Sequence, residues 1–155
     1  MTEITKGTDQ PAQSISINKI YLKDSSFESP NTPSIYAQPG APKVEFNIGL
    51  RHDQIDERSF EVVLSLTLTA KISEKIAFLA EAHQAGLFEI QGFGAETVPA
   101  ILGIFCPTQL FPYAREVISG LIGRGGFPPI TLDHVNFEQL FTQQAQQSAP
   151  AVAAH

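Results

Sequence analysis

The chain has 155 residues, of which 43% are hydrophobic and 17% are charged, and its formal net charge is −6. This length and composition predict one globular domain with its own core and exclude a largely disordered chain. Because a negative surface repels phosphate groups and anionic lipid, we expect basic or apolar partners rather than nucleic acid or a membrane.

Cysteine usage and the N-terminal segment predict a protein that stays in the cytoplasm. Cys106 is the single cysteine, so an internal disulfide cannot form, which suits a reducing compartment. Residues 1–13 contain Glu3, Lys6 and Asp9 without an apolar run, unlike a signal peptide. No stretch approaches the ~20 apolar residues that cross a bilayer.

The two ends of the chain are poor in core-forming residues. Residues 1–13 are polar, and residues 143–155 are low in complexity, with glutamine and alanine predominating. Neither segment can offset the entropy of ordering its backbone. We therefore expect a disordered tail at each end of one domain at residues 14–142.

The first strand is predicted from an alternation that changes phase. Ile15 and Ile17 lie on one parity, whereas Ile20 and Leu22 lie on the other. Because successive side chains of a strand point to opposite faces, this slip predicts a β-bulge at residues 18–19.

Three further strands are predicted from a period of two. After a proline-rich loop at residues 27–42, apolar and polar residues alternate along residues 44–50 and 60–72. A tight turn at residues 73–74 leads into residues 76–82, where the alternation resumes. Short connections favour an antiparallel sheet with one face on a core.

The second half of the chain changes to helical spacing. A short helix is predicted at residues 96–105, ending before Pro107, and a longer one follows, capped by Thr108, with apolar residues recurring along 110–122. Glycines at 123, 125 and 126 are expected to end this helix.

After an extended crossover at residues 127–130, the final helix is predicted to begin at Asn136. Asn136 followed by Gln139 is typical of a capping box. The apolar residues Phe137, Leu140 and Phe141 either cover the core or form one wall of a groove. Strands followed by helices indicate an α+β domain.

Motifs for catalysis and cofactor binding are missing from the sequence. The glycine-rich segment 120–126 lacks the Gly-Lys-Ser/Thr of a phosphate-binding loop. Cys106 precedes a proline in an apolar segment, whereas reactive cysteines need an electropositive setting. The histidines pair with no cysteine to form a metal site; they are His52, His83, His134 and His155. We therefore expect no enzyme activity, metal or cofactor.

One position on the predicted outer face of the sheet is unusual. Leu79 shares the parity of Glu81 and His83, so a leucine lies beside a carboxylate where polar residues are expected. A singly exposed leucine is common in proteins. The alternative is a contact surface for a basic, partly apolar partner, to which Asp24 and Glu28 add charge if they lie nearby.

Several segments resemble the SecB family, in the same order and near the family spacing. The likeness covers roughly residues 14–142, and the run Phe-Pro-Tyr-Ala-Arg-Glu at residues 111–116 is specific. The matching segments are Lys23–Asn31, Phe60–Leu64, Ala77–Glu81, Cys106–Pro107, Leu110–Glu116, Arg124–Gly125, Phe127–Pro128 and Val135–Phe137.

The resemblance implies a four-stranded antiparallel sheet packed on a long helix plus a short C-terminal helix, assembled as a dimer of dimers. It also implies a cytoplasmic, ATP-independent holdase that binds unfolded secretory precursors and delivers them to the SecA motor of the Sec translocon. The residues that match the SecA-docking surface are Asp24, Glu28, Leu79 and Glu81. The client groove would correspond to Val44, Phe46, Ile48, Phe127, Phe137 and Phe141.

The sequence departs from the family pattern at three places. Ser25 stands where a bulky aliphatic residue is common, residues 37–42 lack the tryptophan of some members, and Ala85 precedes Gly86 where a glycine pair is common. Two other functions fit the composition: an oligomeric protein that binds a small apolar ligand, and an enzyme with Cys106 as nucleophile.

Overall fold

The structure, a computed structural model, describes residues 12–148. The strands are β1 (Ser14–Glu28), β2 (Lys43–Gln54), β3 (Ser59–Ile72) and β4 (Lys75–Gln91). The helices are α1 (Val98–Ala100), a π-helical turn (Ile101–Phe105), α2 (Cys106–Arg124) and α3 (Phe137–Ser148). The α+β prediction, with a long helix and a short C-terminal one, is confirmed.

The four strands form one antiparallel sheet in the order β1-β4-β3-β2. Because β1 and β2 lie at opposite edges, residues 29–42 carry the chain from one edge to the other, with a 3-10 turn at Ser34–Ala37. Ser29 Oγ donates to the carbonyl of Ala77 at 2.8 Å, and Asn31 Nδ2 donates to that of Ile76 at 2.9 Å. These two bonds fasten the loop to the beginning of β4.

The bulge predicted in β1 is confirmed, and a second one follows it. The pairing of β1 with β4 shifts between Ile17 and Lys19, and again between Leu22 and Asp24. The first shift brings Ile20 and Leu22 onto the inner face, which carries the core. The second shift places Asp24 on the outer face, although it shares the parity of Leu22.

The core lies between the inner face of β3 and β4 and the helix α2. All seven alternating apolar residues of β3, from Phe60 to Ile72, are buried. Helix α2 contributes residues four apart, each with no exposed surface: Cys106, Leu110, Ala114, Ile118 and Ile122. Burying each large side chain contributes ~1.5–3 kcal/mol, so this layer supplies most of the apolar stabilisation.

The predicted break before the long helix is wrong. Residues 98–124 are helical without interruption, and a π-helical turn at Ile101–Phe105 comes just before Pro107. Thr108 does not cap the helix: its Oγ1 donates to the carbonyl of Ile104 at 2.6 Å, inside the helical segment.

Both predicted helix ends near the crossover are confirmed. At the end of α2, Gly126 has φ +81°, and the amide of Phe127 donates to the carbonyl of Ile122 at 3.3 Å, as in a Schellman motif. Asn136 Oδ1 accepts from the amide of Gln139 at 3.0 Å and caps α3. Helix α3 continues to Ser148, past the tail boundary expected at residue 143. Residues 1–11 and 149–155 lie outside the described residues.

Glu61 links the edge strand β1 to β3 on the outer face. Tyr21 Oη donates to Glu61 Oε2 at 2.5 Å, and Lys23 Nζ donates to Oε1 at 2.6 Å. These hydrogen bonds, from Lys23 first and Tyr21 second, lower the pKa of Glu61. Burial, together with the bond to Glu61, raises the pKa of Tyr21 to about 12.

We expect Glu61→Gln to lower the free energy of unfolding by about 1 kcal/mol at neutral pH, because an amide pairs poorly with Lys23. A carboxylate whose pKa is depressed by folding stabilises the fold above its unfolded pKa, and this contribution is lost as pH falls through the folded pKa. The difference between variant and wild type should therefore vanish at an acidic pH at which Glu61 is protonated in the folded state. Urea unfolding at both pH values measures it.

The matched control is Glu45→Gln, which removes an exposed carboxylate of β2 and should leave stability unchanged at both pH values. A deficit of Glu61→Gln that is equally large in acid would show that the ionised pair is not its source.

Candidate functional site

An apolar channel runs along the inner side of β2, beside the loop 29–42 and the crossover 127–136. Its first part is a cavity of about 780 Å³ whose lining includes Pro42, Ile72 and Ile130. Its second part is a cavity of about 530 Å³ between β2 and the start of α3, lined in part by Phe46 and Ile48. We call the two cavities, together with Val44 between them, the apolar channel.

Aromatic rings form one side of the first cavity. The ring of Phe78 lies 4.9 Å from that of Phe127, which lies 5.2 Å from that of Tyr36. On the far side, Phe27 of β1 stacks on Phe78 at 5.9 Å. Tyr36 Oη donates to the carbonyl of Gly125 at 2.7 Å, so the glycines that end α2 also hold the loop 29–42 against the channel.

Four of the six residues matched to a client groove lie along the channel. Phe127 lines the first cavity, and Phe46 and Ile48 line the second. Val44 lies on the same face of β2 as Phe46 and Ile48, and 42% of it is exposed.

The other two matched residues, on α3, require a correction. Phe137 is only 4% exposed and meets the ring of Phe111 edge-on at 6.0 Å, so it belongs to the core. Phe141 packs on the π-helical turn, since a Cβ built on Gly103 would lie 2.5 Å from its Cδ2. The α3 residues that line the channel are Gln139, Leu140 and Gln143. Leu140 is the apolar one among them, whereas Phe137 and Phe141 turn towards the core and the preceding helix.

Sequence reasoning missed much of the channel wall. Ile35 is 1% exposed and Tyr36 is 53% exposed, although both lie in a segment predicted only as a loop. The one available signal was an aliphatic–aromatic pair inside a run of prolines. Ile130 was predicted only as part of the extended crossover. Nothing in its local sequence indicates that it lines the same cavity as Pro42.

The four residues matched to a docking surface come together on the outer face. Glu28 pairs with Leu79, and Asp24 pairs with His83. Ser26 pairs with Glu81, so Glu81 lies between the other two pairs. Residues directly opposite on antiparallel strands project to the same face with Cβ atoms ~4.5–5.5 Å apart. We call Asp24, Glu28, Leu79 and Glu81 the acidic patch.

His83 lies within this patch and joins two strands. Ser65 Oγ on β3 is 2.7 Å from His83 Nδ1, and His83 Nε2 is 2.8 Å from Glu81 Oε1. The side chain of His83 is 27% exposed, and that of Glu81 is 41% exposed. The sequence singled out His83 only as no metal ligand, whereas the structure places it in a hydrogen-bonded chain.

The surroundings of the single thiol, Cys106, do not favour reactivity. Cys106 has no exposed surface, and burial raises its pKa to about 12, so it stays a thiol rather than the nucleophilic thiolate. Within residues 12–148, no group of three or more metal-ligating side chains is assembled. No helix in that range is long and apolar enough to cross a membrane.

Comparison with known proteins agrees with the architecture. The family model for the preprotein translocase subunit SecB matches residues 8–148. The chain is 46% identical over 155 residues to protein-export protein SecB of Methylococcus capsulatus, covering 98% of this chain and 100% of the relative. It is 50% identical over 152 residues to that of Nitrosococcus oceani, covering 97% and 92%.

A solved structure shows the same fold. A SecB-like chaperone of Mycobacterium tuberculosis, solved in complex with an antitoxin peptide, superposes with a TM-score of 0.62 at 25% identity, covering 79% of this chain and 91% of that one. The match of the family model and the identity to these relatives extend over nearly the whole sequence. The chain belongs to the SecB family.

Proposed function

We propose that this chain is an ATP-independent export chaperone of the cytoplasm. It holds unfolded secretory precursors in the apolar channel and delivers them to the SecA motor of the Sec translocon through the acidic patch. The observation that carries the proposal is the separation of two surfaces on one sheet: an open aromatic and aliphatic channel inside, and clustered carboxylates around Leu79 outside. The related SecB-like chaperone, which was solved with a bound peptide, supports the first of these roles.

The dimensions of the channel suit an extended polypeptide. From Pro42, the residue before β2, to Ile48, the chain spans about 20 Å at ~3.3 Å per residue, which matches roughly six extended client residues. Burying each client leucine or phenylalanine contributes ~1.5–3 kcal/mol, offset by the cost of ordering the client chain. Several such contacts along one polypeptide hold it by multivalency. Folded proteins hide these side chains, so unfolded ones are selected.

We further propose that four protomers assemble as a dimer of dimers. Helix α2 buries one stripe on the sheet yet leaves Tyr113 47% exposed, and the edge strand β1 leaves Ile17 and Leu22 40% and 46% exposed. These apolar side chains, outside the channel, are available to contact other copies.

The alternative functions have less support. A site for one small apolar ligand would enclose the ligand on most sides. The channel is open instead, since Val44 and Tyr36 in its walls are exposed to solvent. An enzyme using Cys106 would need a thiolate in reach of substrate, and the buried thiol with its raised pKa provides neither. Non-catalytic holding is therefore the function we propose.

In a test of client holding, the purified protein is mixed with the denatured and the native forms of one precursor. It should form a complex with the denatured form only, and equally with and without ATP. Val44→Asp should weaken this complex about tenfold, because a carboxylate in an apolar channel is desolvated by the client. Size-exclusion chromatography and a refolding assay measure both effects.

The control variant is Asn47→Asp, which adds the same charge to the same strand but on the outer face, since Asn47 pairs with Thr67. It should bind clients like the wild type. Equal binding of the native precursor, arrest only with ATP, or equal losses in both variants would refute client holding in the channel.

Sedimentation should give a mass of about four times 16.8 kDa at micromolar concentration, as expected for the proposed dimer of dimers. A monomer alone under these conditions would exclude the assembly.

Charge reversal in the acidic patch should separate the two activities. Glu81→Lys or Asp24→Lys should abolish SecA docking, because repulsion from a basic partner costs several kcal/mol. Client binding should stay nearly intact, since both carboxylates lie on the face opposite the channel. SecA affinity of the wild type should also fall as salt rises, since charges are screened beyond ~10 Å at 0.1 M. Calorimetric titration against SecA and against an unfolded precursor measures each affinity.

Glu57→Lys is the matched control, because it makes the same change in net charge in the turn between β2 and β3, away from the patch. SecA binding that survives Glu81→Lys, or client binding that is lost with it, would contradict the assignment of the patch.

A further inference from the structure

The chain Ser65–His83–Glu81 joins a hydroxyl, an imidazole and a carboxylate across β3 and β4. The two contacts measure 2.7 Å at Nδ1 and 2.8 Å at Nε2. This order of groups also occurs in serine hydrolases, where the nucleophile needs donors that stabilise an oxyanion. Here the three side chains lie on the open outer face of the sheet, and Glu81 is part of the acidic patch. A role for the three groups is therefore expected in docking rather than in catalysis.

The contacts fix which ring nitrogen of neutral His83 carries the hydrogen. An ionised carboxylate only accepts hydrogen bonds, so the Nε2–H of His83 donates to Glu81. Nδ1 then accepts from the hydroxyl of Ser65. In the opposite tautomer the Nε2 lone pair would face the carboxylate of Glu81. Ser65 thereby holds the ring in the orientation that directs its donor at Glu81.

Protonation of His83 would keep this geometry while changing the charge. In the imidazolium both nitrogens donate, and Ser65 can accept as readily as it donates. Imidazole is the side chain that ordinarily changes charge between about pH 5 and 8. On the outer face, His83 contacts Glu81 of β4 and lies opposite Asp24 of β1. The charged groups farther along this face are Lys23 of β1 with its partner Glu61 of β3, and Arg51 of β2, which pairs with Val63.

We propose that His83 is a positioning residue of the acidic patch. Oriented by Ser65, it holds the Glu81 carboxylate in one direction towards the basic partner, and its protonation cancels one negative charge of the patch. Docking should therefore be strongest when His83 is neutral and weaken as pH falls. The inference rests on the proposed docking of SecA at this patch, and it adds a residue and a pH response to it.

The test compares SecA binding by calorimetry for wild type and four variants at about pH 8 and about pH 6. His83→Ala and Ser65→Ala should bind about threefold more weakly than wild type at the higher pH, because Glu81 must then be ordered on binding. His83→Gln keeps an N–H donor near the place of Nε2 and should restore affinity to within about twofold. Ser16→Ala is the matched control: it removes a hydroxyl from the same outer face of the sheet, but at the far end of β1, opposite Glu89 and away from the patch, and should change nothing.

The pH response separates positioning from a structural role. On lowering the pH, wild-type affinity should fall about threefold to fivefold more than that of His83→Gln, whose amide takes up no proton. Nitrogen-15 spectra of the imidazole should show the Nε2–H tautomer in the wild type and a mixture in Ser65→Ala. Binding of a denatured precursor should be the same for all variants, which also shows that each is folded.

A further variant, Glu81→Gln, distinguishes a failure of the positioning role of His83 from a failure of the patch assignment. If Glu81→Gln weakens SecA binding while the His83 and Ser65 variants behave like Ser16→Ala, the positioning role is wrong and the patch stands. If His83→Gln follows the same pH dependence as the wild type, the charge-cancelling role is wrong. If Glu81→Gln itself leaves SecA binding unchanged, the patch assignment fails and the role of His83 fails with it.

Discussion

The register between β1 and β4 is the constraint on which both functional surfaces depend. Side chains of a strand alternate between faces, so each bulge exchanges the faces of all residues beyond it. The shift after Leu22 turns Asp24 and Glu28 outward to Glu81 and, by the same step, turns Phe27 inward onto Phe78. One irregularity of the backbone therefore assembles the acidic patch and supports the aromatic side of the channel.

The position of α2 explains why the channel lies at the edge of the sheet. Helix α2 packs on β4, β3 and β1, and the crossover 127–136, with no regular structure, runs beside β2. Apolar side chains of β2 such as Val44 and Phe46 are consequently only partly covered. The Schellman end of α2 at Gly126 then directs Phe127 to the cavity. The apolar face that the helix leaves uncovered forms the proposed client channel, while the opposite face carries the acidic patch.

Features governed by neighbouring residues were predictable from the sequence, and features governed by tertiary contacts were not. The alternation of β3, the turn at Ser73 with its positive φ of 49° and the cap at Asn136 depend on local geometry and were predicted correctly. The helix through Pro107 includes a π-helical turn that no local pattern indicates. Phe137 and Leu140 share one helical stripe, and only packing decides which of them meets the core and which the channel.

The departures from the family pattern are compatible with the packing of the protomer. A side chain at Gly86 would force its neighbours to shift, because a Cβ there would lie 2.6 Å from Cε2 of Phe88 and 3.0 Å from Cδ2 of Leu110. Ala85 points to the opposite face of β4, so a second glycine is not required there. Ser25 is exposed on an edge strand, where no core contact demands an aliphatic side chain. The loop without tryptophan still supplies an aromatic ring, because Tyr36 packs on Phe127 at 5.2 Å and bonds the end of α2. Tyr36 therefore places an aromatic ring beside the channel, although residues 37–42 contain none.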